Sequence, residues 1–316
     1  MAECLIEARN LTKTFPAGSG KKLQAVSDVS LSIYEGESLG LVGESGCGKS
    51  TLGRLLIRLI RPDCGQLFIR GQEVGNMGDR EFAAFRKHLQ LIFQDPYASL
   101  DPRMNVRNLI AEPLITYKMC RTKDEITERV LALMDVVGVP GEFLYRYPHQ
   151  FSGGQRQRIG IARAIAGEPS LIVCDEPVSA LDVSVQNQIL NLLRSIQKER
   201  NLSYLFISHD LSVIRHISDR VCVMFLGKIL ETGPTEEVFA APLHPYTRFL
   251  LDAVPQPDPH RRGEEVRLLK GELPSPVDPP SGCRFRTRCP YAEEICAREE
   301  PVMRNVGGRE VACHKV

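Results

Sequence analysis

The spacing of apolar residues changes abruptly early in the chain. Leu39–Val42 is a short continuous apolar run, as a strand buried on both faces requires. A glycine-rich turn follows it. Leu52, Leu55, Leu56, Leu59 and Ile60 then recur at i, i+3, i+4, i+7 and i+8, one face of a helix that Arg61-Pro62-Asp63 ends. The pattern returns downstream. Leu171–Cys174 reads as a second buried strand. Val185, Ile189, Leu192, Leu193 and Ile196 form the next helical stripe, and Tyr204–Ile207 the strand after it. Strands alternating with helices predict an α/β fold with a parallel, helix-covered sheet. Over residues 95–155 strand signals fade, and Ile126, Val130, Leu133, Met134 and Val137 mark a helix. That stretch reads as a helical insertion between two halves of one sheet.

Composition adds a boundary. Eleven of the 21 prolines fall in residues 241–316, and four of the ten cysteines in the last 34 residues. The chain therefore divides near Ala241 into a regular α/β part and a loop-rich appendix, with Pro255–Pro259 as a linker at most. Internal repeats and low-complexity tracts are absent. Lys+Arg number 40 against 39 Asp+Glu, a net charge of +1, so no basic excess points to nucleic acid. The longest apolar run, Val221 to Leu226, falls far short of the ~20 residues a spanning helix needs. Met1-Ala2-Glu3-Cys4 starts no secretory signal, so the cytosol is the default location. In that reducing compartment the cysteines are expected to be thiols or metal ligands.

Candidate chemistry begins in the glycine-rich turn. Gly43-Glu44-Ser45-Gly46-Cys47-Gly48-Lys49-Ser50, followed by Thr51, fits G-x-x-x-x-G-K-[ST] between a strand and a helix. Glycines let backbone N–H groups wrap phosphate oxygens, and the helix N-terminus adds positive potential. Lys49 brings a full charge to the β- and γ-phosphates, and the Ser50 hydroxyl a ligand for Mg²⁺. Cys47 reads either as a small filler or as a thiolate favoured by the same donors.

Leu171-Ile172-Val173-Cys174-Asp175-Glu176 is an apolar strand tipped by two acids. A buried acid needs a partner, and Mg²⁺ supplies one for Asp175. Glu176 then becomes the candidate general base for an attacking water. Between these motifs lies Phe151-Ser152-Gly153-Gly154-Gln155. Ser152 and Gln155 form a capping box, and Ile159, Ala162, Arg163 and Ala166 continue a helix that Gly167 and Pro169 end. The two glycines give a phosphate access to the helix N-terminus, a second anion site.

Taken together, these residues resemble the nucleotide-binding subunits of ABC transporters over about residues 4–240. Ser152-Gly153-Gly154-Gln155 is similar to the ABC signature, with Phe151 where Leu is more usual. Gln94 in Phe93-Gln94-Asp95-Pro96 matches the Q-loop, Ser179-Ala180-Leu181-Asp182 the D-loop, and His209 the switch histidine. Phe15 stands where the family carries an aromatic, usually Tyr, that stacks on adenine. The resemblance implies a RecA-like core with an N-terminal antiparallel β-subdomain and a helical subdomain. It implies two subunits paired head to tail, with ATP between one phosphate loop and the opposite signature. Glu176 would polarise water, His209 would contact the γ-phosphate, and Gln94 would reach Mg²⁺ and the lytic water.

The appendix carries Leu243-His244-Pro245-Tyr246-Thr247, Leu273-Pro274-Ser275-Pro276, and cysteines at 283, 289, 296 and 313. It resembles the C-terminal extension of the dipeptide, oligopeptide and nickel importer ATPases. That likeness implies domains at 1–240 and 241–316 and ATP-driven peptide import, with nickel import or a non-transport ABC ATPase as alternatives. It further implies a second ATPase subunit in a heterodimer, two integral permeases, and a periplasmic or extracellular peptide-binding protein reached through them. The chain would lie peripherally on the cytoplasmic face of the inner membrane. The gaps between Cys283, Cys289, Cys296 and Cys313 are five, six and sixteen residues, wider than usual for structural zinc. A 4Fe–4S cluster, zinc and free thiols all remain open on spacing alone. The resemblance implies a 4Fe–4S cluster, which the matching cysteines of this importer family can hold. Arg284, Arg286, Arg288 and Arg298 would then lower the thiol pKa values.

Overall fold

A computed structural model describes residues 3–18, 20–95, 97, 99–253 and 273–316. Pro96 of the Q-loop motif and the Pro255–Pro259 linker lie outside the described residues. The chain forms two compact units. One comprises Met1–Leu5, Ile33–Glu37 and Asn76–Phe206, the other Ile6–Ser32, Ser38–Gly75 and Ile207–Val316.

In the second unit the strand Ser38–Val42 is buried along its whole length, as its unbroken apolar run requires. It pairs in parallel with Arg220–Phe225, from Leu39 opposite Arg220 to Val42 opposite Val223. The latter forms a hairpin with Lys228–Pro234. Its two-residue loop has Leu226 at φ 42° and Gly227 at φ 80°, the double positive φ that matches strand twist in a tight hairpin. The Gly227 N–H donates to the Cys47 carbonyl at 2.8 Å, so the hairpin tip props the glycine-rich turn. Two short strands from the appendix, Arg309–Val311 and Arg304–Val306, extend the sheet beyond Lys228–Pro234. A second, four-stranded sheet runs in the order Lys22–Tyr34, Cys4–Pro16, Cys64–Ile69, Gln72–Glu73.

The helix after the glycine-rich turn spans Lys49–Leu56, shorter than the apolar stripe predicts. Arg58 adopts φ 54°, Leu59 N–H reaches back to Arg54 O, and Arg58 N–H to Leu55 O. This is a Schellman stop with Arg in the place usually held by Gly. It leaves Leu59 59% exposed rather than on the buried face.

In the first unit Leu171–Asp175 lies between Leu89–Ile92 and Ser203–Ile207, and is parallel to the former. No strand interrupts the described residues between Ile92 and Leu171. Helices fill that interval, as the fading strand signal predicts. Val106–Thr116 is capped by Asn105 and Lys123–Val136 by Thr122, whose hydroxyl accepts the Glu125 N–H at 3.1 Å. Val130, Leu133 and Met134 turn inward, while Ile126 stays half-buried. Among the described residues no helix is long and apolar enough to cross a membrane.

Candidate functional site

The glycine-rich turn is built as a cradle. Gly48 occupies the N-cap of Lys49–Leu56 at φ 109°, and a Cβ there would lie 2.0 Å from the Ala25 carbonyl. Only glycine fits. Ser45 and Gly46 stand exposed at the rim, and Glu44, Ser50 and Thr51 are half-buried. Lys49 is buried, and its Nζ donates to the carbonyls of Gly43 at 2.8 Å and Glu44 at 2.9 Å. The ammonium is thus held inside the turn by the loop's own backbone.

Cys47 lies 2% exposed in this turn. Burial pushes its thiol up, and the Lys49 charge only partly opposes this. The reactive-thiolate reading therefore gives way to the small-filler reading. Burial from water costs the thiolate more than the nearby ammonium returns.

Glu44 is held from outside the motif, which sequence reading missed. Its N–H donates to the Tyr246 Oη at 2.9 Å. Its carboxylate accepts from Arg288 Nη1 at 2.8 and 3.0 Å. Both partners come from the appendix, and no spacing rule links positions so far apart in the chain. Tyr246 is positioned by the helix Pro245–Asp252, whose N-cap His244 accepts the Tyr246 N–H through Nδ1 at 3.0 Å. Fully buried Glu231 fixes that helix start, taking the N–H groups of Leu243 and His244 at 2.9 Å each.

Burial, with Arg248 beside it, pulls the His244 imidazole down to about 3. Its ordinary value is about 6.5, so on acidification the unfolded chain takes up the proton first. Stability resting on the neutral ring is complete above that value and falls with pH until the folded pKa is reached. The expected loss between pH 7 and pH 5 is about 2 kcal/mol. His244→Asn keeps an N-cap acceptor that does not titrate. Its thermal midpoint should fall less than the wild-type one over this range; parallel curves would refute the assignment.

In the first unit, Asp175 ends the strand Leu171–Asp175 at 5% exposure. Glu176 then turns left-handed at φ 48°, a conformation that is costly for a non-glycine residue and concentrated at functional sites. Gln94 Nε2 donates to the Glu176 carboxylate at 2.9 Å, bringing together two predicted residues 82 positions apart. Ser179 N–H and Oγ both reach the Glu176 carbonyl, at 3.3 and 3.1 Å, and fix the exit from the strand. The capping box forms as expected. Ser152 Oγ accepts from Gln155 N–H, and Gln155 Oε1 from Ser152 N–H at 3.0 Å, opening the helix Gly153–Ala166. Asp182 takes the N-cap position of Val183–Arg200 without a side-chain cap bond.

His209 lies exposed in the second unit, just before Asp210, whose carboxylate caps Leu211–Ile217. Phe15 is 36% exposed near the end of Cys4–Pro16, with Lys13 Nζ 5.7 Å from its ring centre.

The cysteine tail requires a correction. None of the ten cysteines is joined in a disulfide. Among the described residues no three His, Cys, Asp or Glu side chains are grouped so that they could hold a metal ion, so the expected 4Fe–4S cluster is not supported. The thiol electrostatics also run opposite to expectation. Burial, with the neighbouring thiols, pushes Cys283 up to about 11, and burial raises Cys289. The arginines that were expected to lower these values are engaged elsewhere. Arg284 bonds the Leu226 carbonyl and Gln24 Oε1, Arg286 bonds Ser281, Arg288 bonds Glu44, and Arg298 bonds Glu294.

Comparison with known proteins agrees with the nucleotide motifs. The family described as ABC transporter matches residues 26–179. The family described as the oligopeptide/dipeptide transporter C-terminal region matches residues 230–296. The oligopeptide transport ATP-binding protein OppF of Escherichia coli (strain K12) is 52% identical over 321 residues, covering 99% of this chain and 96% of that protein. AppF of Bacillus subtilis (strain 168), an oligopeptide transport ATP-binding protein, is 51% identical, covering 99% and 97%. A solved ATP-binding cassette dimer in a post-hydrolysis state, bound to ADP and Pi, superposes with a TM-score of 0.67 at 29% identity, covering 73% of this chain and 99% of that one. By these likenesses, which run along nearly the whole chain, it belongs to the ABC transporter family as an ATP-binding, ATP-hydrolysing subunit with the C-terminal region of its oligopeptide/dipeptide branch.

Proposed function

We propose that this subunit couples ATP hydrolysis to the import of oligopeptides. The observation that carries the reading is likeness along nearly the whole chain, appendix included, to oligopeptide transport ATP-binding proteins. Residues 1–240 would be the ATPase domain and 241–316 its extension. The chain would work with a second ATPase subunit in a heterodimer and with two integral permeases. These would hold it at the cytoplasmic face of the inner membrane and receive peptide from a binding protein outside.

The residue roles join the chemistry of the side chains to the likeness with ABC ATPases. The backbone N–H groups of the Gly43–Thr51 turn, with Lys49, would bind the phosphates of ATP. Phe15 would stack on adenine. Ser50, Gln94 and Asp175 offer hard oxygen donors that suit Mg²⁺, whose bound charge would offset that of the phosphates. Asp175, nearly buried at an apolar strand end, is an acid that such an ion would balance. Glu176 would accept a proton from water as the water oxygen bonds to the γ-phosphorus. The bond from that phosphorus to the bridging oxygen then breaks, releasing ADP and phosphate. Gln94 would orient the Glu176 carboxylate, a part supported by their 2.9 Å contact. His209 would contact the γ-phosphate. Ser152, Gly153, Gly154 and Gln155, with Asp182, would serve the nucleotide of the opposing subunit.

A pull-down of this subunit from detergent-solubilised native membranes tests the reading. Two integral permeases and a second ATPase are the expected companions. Ribosomal or DNA-repair proteins without a permease would leave the ATPase in place and remove the transport role.

A further inference from the structure

We propose that Arg288 and Tyr246, both in the C-terminal appendix, are positioning residues of the nucleotide site. They act through Glu44. The inference rests on the phosphate-binding reading of the Gly43–Thr51 turn.

Four contacts form a continuous chain. Lys49 Nζ is held by the carbonyls of Gly43 and Glu44 at 2.8 and 2.9 Å. The Gly43–Glu44 peptide joins the first of these carbonyls to the Glu44 N–H, which Tyr246 Oη holds at 2.9 Å. The Glu44 carboxylate is held by Arg288. The segment that places the Lys49 charge is therefore gripped twice from the appendix, once by backbone and once by side chain.

The grip is well anchored. Tyr246 is fully buried, with its ring centre 4.8 Å from that of Phe225 and 5.3 Å from that of Phe285. Burial pushes its phenol up, so the hydroxyl stays neutral. The Arg288 side chain is only 9% exposed and that of Glu44 25%. Among the described residues Arg288 Nε is buried without a hydrogen-bond partner, and Glu44 supplies the polar contacts seen for this guanidinium. Pairs of this kind are fixed in geometry, because removing one member strands the other's charge away from water.

Charge gives the arrangement its function. Glu44 is a carboxylate within a turn that must accept the triphosphate of ATP. Paired with Arg288 it presents little net charge; unpaired, it repels phosphate in a partly desolvated setting where charge interactions are strong. The appendix thus both shapes the turn and neutralises its one acid.

Calorimetric titration of MgATP into the full-length chain tests this. Arg288→Gln is expected to weaken MgATP binding about tenfold, equal to about 1.4 kcal/mol. The double variant Glu44→Gln/Arg288→Gln is expected to recover most of the loss, because the unpaired anion is gone. Tyr246→Phe is expected to weaken binding severalfold. Unchanged affinity in Arg288→Gln would overturn the proposal, and so would a loss that Glu44→Gln does not relieve. Should Arg288→Gln fail to fold, hydrogen exchange on the wild-type chain decides instead. MgATP should slow amide exchange over Cys283–Cys289 and His244–Thr247, and unchanged exchange there counts against the coupling. A wild-type chain that binds no MgATP would defeat the nucleotide-site reading itself, a result distinct from any of these.

Discussion

Glu176→Gln is expected to slow ATP turnover by about 10²–10⁴-fold, the range a positioned general base contributes, while MgATP binding persists. The amide keeps the shape of the carboxylate, and its oxygen can still accept from Gln94 Nε2, which now sits 2.9 Å from the Glu176 carboxylate. What it loses is the ability to take a proton from water. The left-handed backbone at φ 48° and the two Ser179 contacts lie on the main chain and survive the change. A single-turnover assay beside a binding titration separates the two effects. Near wild-type turnover would remove Glu176 from the base role, and loss of binding would assign it to holding the nucleotide instead.

Gly48→Ala is expected to abolish useful MgATP binding, weakening it by more than about 100-fold, or about 2.7 kcal/mol. The added Cβ would meet the Ala25 carbonyl at 2.0 Å and the Met224 side chain at 2.9 Å, in a backbone conformation at φ 109° that L residues rarely adopt. Ala25 cannot yield cheaply. It lies in the strand Lys22–Tyr34, and the nearby Ser27 N–H is bonded to the Gly227 carbonyl at 2.9 Å. The turn must open instead, and with it the N-terminus of Lys49–Leu56. Gly46→Ala is the control. Gly46 has φ 76° but, among the described residues, nothing within 4 Å of an added Cβ, so it carries only left-handed strain of about 1–2 kcal/mol. Equal losses in the two variants would show that backbone strain, not the close approach to Ala25, governs the turn.

The amino-acid sequence by itself determined the features that are local. The glycine-rich turn proposed to hold phosphate lies within one stretch of chain, with the helix Lys49–Leu56 that it opens. Its glycines, its lysine and its flanking strand and helix were therefore legible in the sequence. The capping box at Ser152 and Gln155 was legible for the same reason, since both partners lie within one helical turn. So were the buried strands Ser38–Val42 and Leu171–Asp175, where continuous apolar runs mean burial on both faces.

Tertiary structure decided whatever depends on reach through space or on the surroundings of a charge. Arg288 finds Glu44 across 244 positions, and Tyr246 finds the Glu44 N–H across 202. Neither separation corresponds to any repeat of helix or strand. The early end of Lys49–Leu56 came from a left-handed arginine that no propensity marks. The thiols show the same division. Proximity in sequence set arginines around Cys283 and Cys289, but the folded chain sends Arg284 to Leu226 and Gln24 and Arg288 to Glu44. Burial then governs the thiol chemistry, because the cost of charging a group depends on the medium that encloses it rather than on its neighbours in the chain.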